Sequence, residues 1–316
     1  MTDATEPAIS PPSRLAVIGL GKMGLPMAKR LLGAGFAVAA YDPVAASRDA
    51  FAAAGGRSCG SAAEAAGEAD AVITMLPDGT IVKRVVLEDD APVLEAMRRG
   101  SVLIEMSSSE PLTTRLLGER LAEAGIGLVD APVSGGVRKA EAGTLSIMVG
   151  GEPRTAKRVR PVLEAMGSAL FDTGPLGSAH AMKALNNYVS AAGLIAACEA
   201  VQIGAAFGLD QNVMVDILNV STGRNNTTEN KLKAYMISEA YNSGFGLALM
   251  AKDIGIAVDL AEALRRPAPL SHHVVALARE ALTMLGAQAD HTEIDRYLKR
   301  LAEERLAEER LAEDDA

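Results

Sequence analysis

Short apolar runs alternate with helix-spaced segments through the first half of this chain. Residues 15–18 (Leu-Ala-Val-Ile) run into Gly19-Leu20-Gly21-Lys22-Met23-Gly24, residues 25–32 recur at helical spacing up to Gly33 and Gly35, and residues 36–41 form a second apolar run closed by Asp42-Pro43. Strand-like runs follow at residues 70–76, 101–106, 127–132, 144–149 and 169–171, separated by segments rich in Ala, Glu and Arg. Such alternation predicts a mostly parallel, doubly wound sheet. From Gly177 the strand signals fade, and helical spacing covers residues 178–207, 210–220, 228–239, 247–264, 269–285 and 291 to the end. The fold class is therefore α/β followed by an all-α domain. The predicted organisation is a disordered Pro-, Ser- and Thr-rich leader over 1–13, a nucleotide-binding domain over 14–176, a helical domain over 177–298 and a charged helical tail over 299–316.

The first strand, turn and helix carry G-x-G-x-x-G, with an acid, Asp42, closing the second strand 23 residues after Gly19. In the Rossmann-type fingerprint the first glycine makes the turn, the second lets backbone approach a pyrophosphate and the third lets helix pack on strand. Gly19, Gly21 and Gly24 fill these places, and Leu20, Lys22 and Met23 belong to the same turn. Asp42 can accept from both ribose hydroxyls and repel a 2′-phosphate, which favours NAD over NADP, or it can cap the helix that starts after Pro43.

In a doubly wound sheet, ligands lie beyond the carboxyl ends of the strands. There the chain places Leu76-Pro77-Asp78-Gly79, Ser107-Ser108-Ser109 and Ser134-Gly135-Gly136. Ser-Gly-Gly offers backbone N–H groups and a hydroxyl to a carboxylate, or is a plain loop turn; the serine run can likewise cap a helix. At the head of the helical domain, His180, Lys183 and Asn187 fall on one polar stripe of a helix whose otherwise apolar composition predicts burial on most sides. A buried lysine needs partners or a task. Residues 221–230, including Arg224 and Asn225, form a polar loop between apolar helices, suited either to an oxygen-rich substrate or simply to solvent.

Charge and composition narrow the partners. A formal charge of -9 over 316 residues argues against duplex nucleic acid. No apolar run reads as long enough to cross a membrane, and no signal peptide is recognised at the start. Cys59 and Cys198 suggest neither a disulfide framework nor a metal site, which fits a cytoplasmic protein, and the four histidines have no zinc-ligand spacing. The pentad-spaced leucines of the tail make no coiled-coil seam, and its Arg300 and Arg305 are spaced to pair with glutamates at i+3 and i+4.

With Gly19-x-Gly21-x-x-Gly24, Asp130-Ala-Pro-Val-Ser-Gly-Gly136, Gly177 followed by Lys183-x-x-Asn-Asn187, and Lys252-Asp253 in that order, residues 14–298 resemble the β-hydroxyacid dehydrogenase family. This 6-phosphogluconate dehydrogenase-like family includes 3-hydroxyisobutyrate dehydrogenase and tartronate semialdehyde reductase. The resemblance implies Lys183 as catalytic lysine, Asn187 holding the reacting oxygen, and Ser134, Gly135 and Gly136 on the substrate carboxylate. It also implies that Leu76, Pro77, Ser108, Phe245 and Lys252 lie near the cofactor, and that the chain forms a homodimer or homotetramer. Arg224 and Asn225 lie where members differ, so they would set the substrate. The expected reaction is hydride transfer between NAD, or NADP, and the β-carbon of a short hydroxy acid, with Lys183 as proton donor and acceptor, its pKa lowered by the helix dipole and its apolar setting. No metal is called for. An imine reductase shares the architecture but usually replaces the lysine. A non-catalytic dinucleotide-binding module would need neither the Lys–Asn pair nor Ser-Gly-Gly. His180 is expected to be a satisfied helix histidine.

Overall fold

The computed structural model describes residues 7–314. The chain divides into two compact units, Met1–Lys183 and Ala184–Ala316. Among the described residues of the first, nine strands form one sheet: β1 (Arg14–Ile18), β2 (Ala37–Tyr41), β3 (Arg57–Ser58), β4 (Ala71–Thr74), β5 (Val102–Glu105), β6 (Gly127–Asp130), β7 (Val133–Ser134), β8 (Leu145–Gly151) and β9 (Gly167–Gly174). The order is β3-β2-β1-β4-β5-β6-β8-β7, with β9 on β8. Strands β1 to β6 pair in parallel. Strand β8 runs antiparallel to β6 and β7, so the far edge turns the sheet's direction around.

The alternation that predicted the sheet is used on both of its faces. Leu15, Val17, Ile73, Ile104 and Val129 pack on one side with Met27 and Leu31 of the Gly24–Gly33 helix. Ala16, Ile18, Val72, Leu103 and Leu128 pack on the other with Val82, Val86 and Leu121. Burial on both faces is why these strands read as unbroken apolar runs. The parallel register also aligns the strand ends: Ile18 lies opposite Tyr41 and Thr74, Thr74 opposite Glu105, and Glu105 opposite Asp130. That last row holds the sheet's buried polar side chains, Thr74, Glu105 and Asp130.

Residues 7–13 are not the unstructured segment their composition suggests. Ile9 is buried in the sheet core, its N–H donates to the Arg158 carbonyl at 2.8 Å, and Ser13 N closes a turn on the Ser10 carbonyl at 2.9 Å. One apolar side chain with a socket outweighs the local composition. The rest of the expected leader, residues 1–6, lies outside the described residues.

The first compact unit runs past the glycine turn of residues 174–177 to Lys183, inside the helix that follows. The Ser178–Phe207 helix opens in the first unit because Asp130 receives its leading backbone N–H groups, and continues into the second. It is not buried on most sides: Met182, Leu185, Val189, Ile203 and Phe207 are exposed. It is also long and apolar enough, by length and composition alone, to cross a membrane, contrary to the sequence reading. A core helix passes the same test, and His180 and Gln202 make side-chain contacts to other parts of their own units.

In the second unit, the Leu247–Ala263 and Pro269–Leu285 helices pack on the inner side of the long helix around Leu194, Cys198, Ile254 and Val274. The expected helix over residues 228–239 is split into a short Asn226–Asn230 helix and a wider turn over Leu232–Ile237. The Ile294–Asp314 helix carries the expected Arg300–Glu304 pair at 2.7 Å; pairs with Glu308 and Glu309 lie outside the described residues. Ile9→Ala is expected to lower the denaturation midpoint, with a cost of about 2–5 kcal/mol; an unchanged urea midpoint would show that residues 7–13 add nothing to the core.

Candidate active site

The glycine turn is built as the fingerprint requires. Gly19 has φ +98°, and a Cβ there would overlap the Met75 carbonyl, while a Cβ on Gly24 would overlap the Gly19 carbonyl oxygen. Gly21, by contrast, faces open space. The groove beside it includes Gly21, Lys22, Lys29, Arg30, Ser47 and Glu141 in its lining, three cations to one acid. An open glycine edge flanked by cations, at a helix start, fits a dinucleotide pyrophosphate. Met23 is half-buried at that helix start.

Asp42 closes the turn from the side. Its Oδ2 accepts from Leu20 N at 2.7 Å and its Oδ1 from Val44 N at 2.8 Å. It ties the glycine turn to β2 and turns the chain at Val44, while the Ala45–Ala52 helix that follows takes no side-chain cap. Arg48 donates to the Asp42 backbone carbonyl at 2.7 Å and holds the same corner.

Beyond β4 and β5, Leu76 N donates to Ser107 Oγ at 3.0 Å, and Ser107 N donates to Glu105 Oε1 at 2.8 Å. Leu76, Pro77 and Ser108 therefore follow backbone positions that are fixed from a buried carboxylate. Beyond β6, Val133 carries its carbonyl to the Lys183 ammonium at 2.8 Å. Ser134, half-buried, and Gly135 and Gly136, both exposed with positive φ, follow at once, and a Cβ on Gly136 would meet nothing. Lys183, half-buried, is brought to the Ser-Gly-Gly segment inside the first unit.

The start of the Lys183 helix rests on three buried ionisable groups. Asp130 Oδ1 accepts from Gly177 N and Oδ2 from His180 N, both at 2.9 Å. His180 Nε2 lies 2.7 Å from Glu105 Oε2, off the line of a well-aligned hydrogen bond, so the contact is an ion pair first. Its Nδ1 lies 2.8 Å from Thr114 Oγ1. Burial alone would raise the Glu105 carboxyl, but the imidazole and the Ser107 donors outweigh it and hold that group below the ordinary carboxylate range. Burial alone would lower His180, yet Glu105 and then Asp130 raise it. Glu105 was missed in the sequence; the available signal was a carboxylate closing an otherwise apolar buried strand.

In the second unit, Asn187 Nδ2 donates to Asp253 Oδ2 at 2.6 Å, and Asn187 Oδ1 accepts from Asn186 Nδ2 at 3.1 Å. Asp253 is buried, and Lys252 Nζ stands 3.3 Å from its other oxygen. Sequence reasoning took Lys252 from this pair and passed over Asp253, which orients Asn187. Phe245 meets His291 edge-on, with centroids 5.3 Å apart. Arg224 is exposed, 3.7 Å from Glu229. Asn225 has a structural task that its sequence context did not reveal. Its Oδ1 takes Thr227 N and Thr228 N, and its Nδ2 donates to the Gly193 carbonyl, so it is the cap of the Asn226–Asn230 helix.

Residues 14–174 match the family model described as the NAD binding domain of 6-phosphogluconate dehydrogenase, and residues 177–298 the model described as NAD-binding of NADP-dependent 3-hydroxyisobutyrate dehydrogenase. The chain belongs to the β-hydroxyacid dehydrogenase family. An NAD-dependent L-serine dehydrogenase of Pseudomonas aeruginosa is 36% identical over 90% of this chain and 97% of its own. The structure of Mycobacterium tuberculosis 3-hydroxyisobutyrate dehydrogenase with L-serine matches 90% of this chain and 99% of its own, at 35% identity and TM-score 0.84. An imine reductase of Myxococcus stipitatus, at 18% identity and TM-score 0.62, shares the fold alone. As a β-hydroxyacid dehydrogenase, this protein is a nicotinamide-dependent oxidoreductase acting on a small hydroxy acid.

The buried pair gives this dehydrogenase a pH signature. Glu105, held low, adds stability that is present above the ordinary carboxylate pKa of about 4.3 and is lost as pH falls through its folded value. His180, held high, adds stability that is present below about 6.5 and is lost as pH rises through its folded value. Between those limits both contributions are complete. Denaturation midpoints of Glu105→Gln, measured across pH, are expected to lose the acidic limb and to weaken the basic one; a profile parallel to the parent would show that the pair is not ionised.

Proposed function

We propose that this β-hydroxyacid dehydrogenase oxidises the β-hydroxyl of a short hydroxy acid of the 3-hydroxyisobutyrate, serine or glycerate kind with NAD, and that Lys183 is its general acid and base. The observation that carries the reading is the Lys183 ammonium held at the Val133 carbonyl, directly before Ser134, Gly135 and Gly136. When bound, the nicotinamide supplies the hydride acceptor or donor. The protein's own task is then to hold a carboxylate, orient a hydroxyl and move one proton.

Ser134 Oγ and the backbone N–H groups of Gly135 and Gly136 suit the carboxylate, and the open side of Gly136 leaves room for it. In oxidation the Lys183 amine takes the hydroxyl proton; in reduction its ammonium returns that proton to the carbonyl oxygen as negative charge develops there. Asn187, one helical turn on, presents an amide oriented by Asp253. Gly19, Gly21, Gly24 and Lys22 would hold the pyrophosphate, and Leu76, Pro77 and Ser108 the nicotinamide half. Arg224 is the exposed cation of its own loop in the second unit. NAD is favoured over NADP because a carboxylate at Asp42 suits ribose hydroxyls and opposes a 2′-phosphate.

Self-association belongs to the same reading. Val189, Ile203, Phe207, Val213 and Val220 expose apolar surface along two helices of the second unit, which suits a second copy. Light scattering is expected to give a dimer or tetramer, and a monomer at working concentration would remove this part.

Activity is tested by nucleotide reduction at the nicotinamide absorbance with 3-hydroxyisobutyrate, L-serine, glycerate and 3-hydroxypropionate, NADP being run in parallel. Lys183→Ala is expected to lower turnover at least about a hundredfold on the accepted substrate, the scale of an acid–base group. Turnover within about twofold of the parent would remove Lys183 from that role.

A further inference from the structure

Glu105 and Asp130 are directly opposed in register at the ends of two neighbouring strands, and both are fully buried. Like charges so placed repel, and each is costly to hold ionised away from water without a cation. Besides the Ser107 N–H on Glu105, the groups that face them are few. From the Pro111–Glu123 helix comes the Thr114 hydroxyl, with the Glu110 backbone carbonyl behind it. From the Ser178–Phe207 helix come the Gly177 and His180 backbone N–H groups and the His180 ring.

The ring stands where a counter-ion of this pair belongs. Its Nε2 lies 2.7 Å from Glu105 Oε2 and its Nδ1 3.8 Å from Asp130 Oδ2, so each nitrogen faces a carboxylate. Nδ1 also lies 2.8 Å from Thr114 Oγ1, whose single hydroxyl hydrogen has an acceptor of its own in the Glu110 carbonyl at 3.1 Å. A ring protonated on both nitrogens satisfies all of these contacts and neutralises one of two opposed buried carboxylates.

Its position gives the charge a use. His180 lies one helical turn before Lys183, and Glu105, which holds His180 by Oε2, holds the Ser107 backbone by Oε1. Ser107 in turn receives the Leu76 N–H. A single carboxylate therefore ties the Leu76 and Ser107 turns to the first turn of the helix that carries Lys183.

We infer that His180 is a permanently charged positioning residue, an imidazolium pinned by Glu105 and Asp130 that sets where the Lys183 turn stands relative to the strand ends. This rests on Lys183 being the acid–base group. The imidazolium does not touch the reacting atoms; it acts through the seat of the helix. Replacing one carboxylate would let the ring lose its proton as pH rises, so activity would fall on the basic side.

Two measurements on the full-length protein test it. In nitrogen NMR of ¹⁵N-histidine-labelled protein, with the His180 signals assigned by their loss in His180→Gln, the ring is expected to show the doubly protonated pattern at pH about 8, where an ordinary histidine of pKa about 6.5 is neutral. A neutral tautomer there would overturn the inference without any variant having to fold. In steady-state kinetics, Glu105→Gln is expected to lower kcat about tenfold, the scale of a small misplacement of a catalytic group, and to add a basic limb to its pH profile. KM for the hydroxy acid is expected to stay within about threefold of the parent. Parent-like kcat and profile would overturn the positioning role. Lys183→Ala in the same assay separates the two failures: if it stays active, the catalytic reading falls, whereas if it is inactive and Glu105→Gln is parent-like, only the role of His180 falls.

Discussion

Two carboxylates stand side by side in the last row of a dry sheet, and much of the first unit answers that constraint. Asp130 satisfies one part by accepting two backbone N–H groups at the head of the long helix. Glu105 satisfies another by accepting the Ser107 N–H on one oxygen and facing His180 with the other. An unpaired charge here would cost several kcal/mol, far more than an exposed ion pair contributes. The helix start, the serine turn and the sheet edge are thereby fixed to each other by groups that cannot relax into solvent. Lys183 takes its place beside Val133 from the same arrangement, since it rides on the next turn of that helix.

The glycine turn answers a different constraint, which is steric. Gly19 and Gly24 are required because the turn, strand and helix come too close for any Cβ, whereas Gly21 is open. The two kinds of requirement meet at Asp42 and Leu76, one on each side of β1. Cofactor recognition thus stands on close backbone approach, while the proton-transfer side stands on buried charge.

Much of this was legible because it is local. The fingerprint, the strand-end loops and the long helix each fit within a window whose apolar period reveals the element, and the ordered motifs were enough to identify the family. What escaped was decided by distant partners. Glu105, Asp130 and His180 come from three segments, and nothing in the spacing of one reports the others. Asn225 looked available because its polarity is visible, but the Thr227, Thr228 and Gly193 groups that occupy it are apparent only in three dimensions. Strand direction is also silent in a period of two, so the reversal at β8 could not be read from its side chains. Strands β3 and β7 have two residues each, too few to make a pattern.

The docking of Ile9 has a practical side. The chain enters the fold through residues 7–13 at the amino end of β1, held to the Arg158 carbonyl, and Arg158 in turn donates to the Gly100 carbonyl just before β5. That is the end of the sheet opposite the glycine turn, the serine turn and Lys183. A tether joined to residues 7–13 would therefore hold the first unit by the rim of the sheet opposite its glycine turn, leaving the nucleotide groove facing the medium.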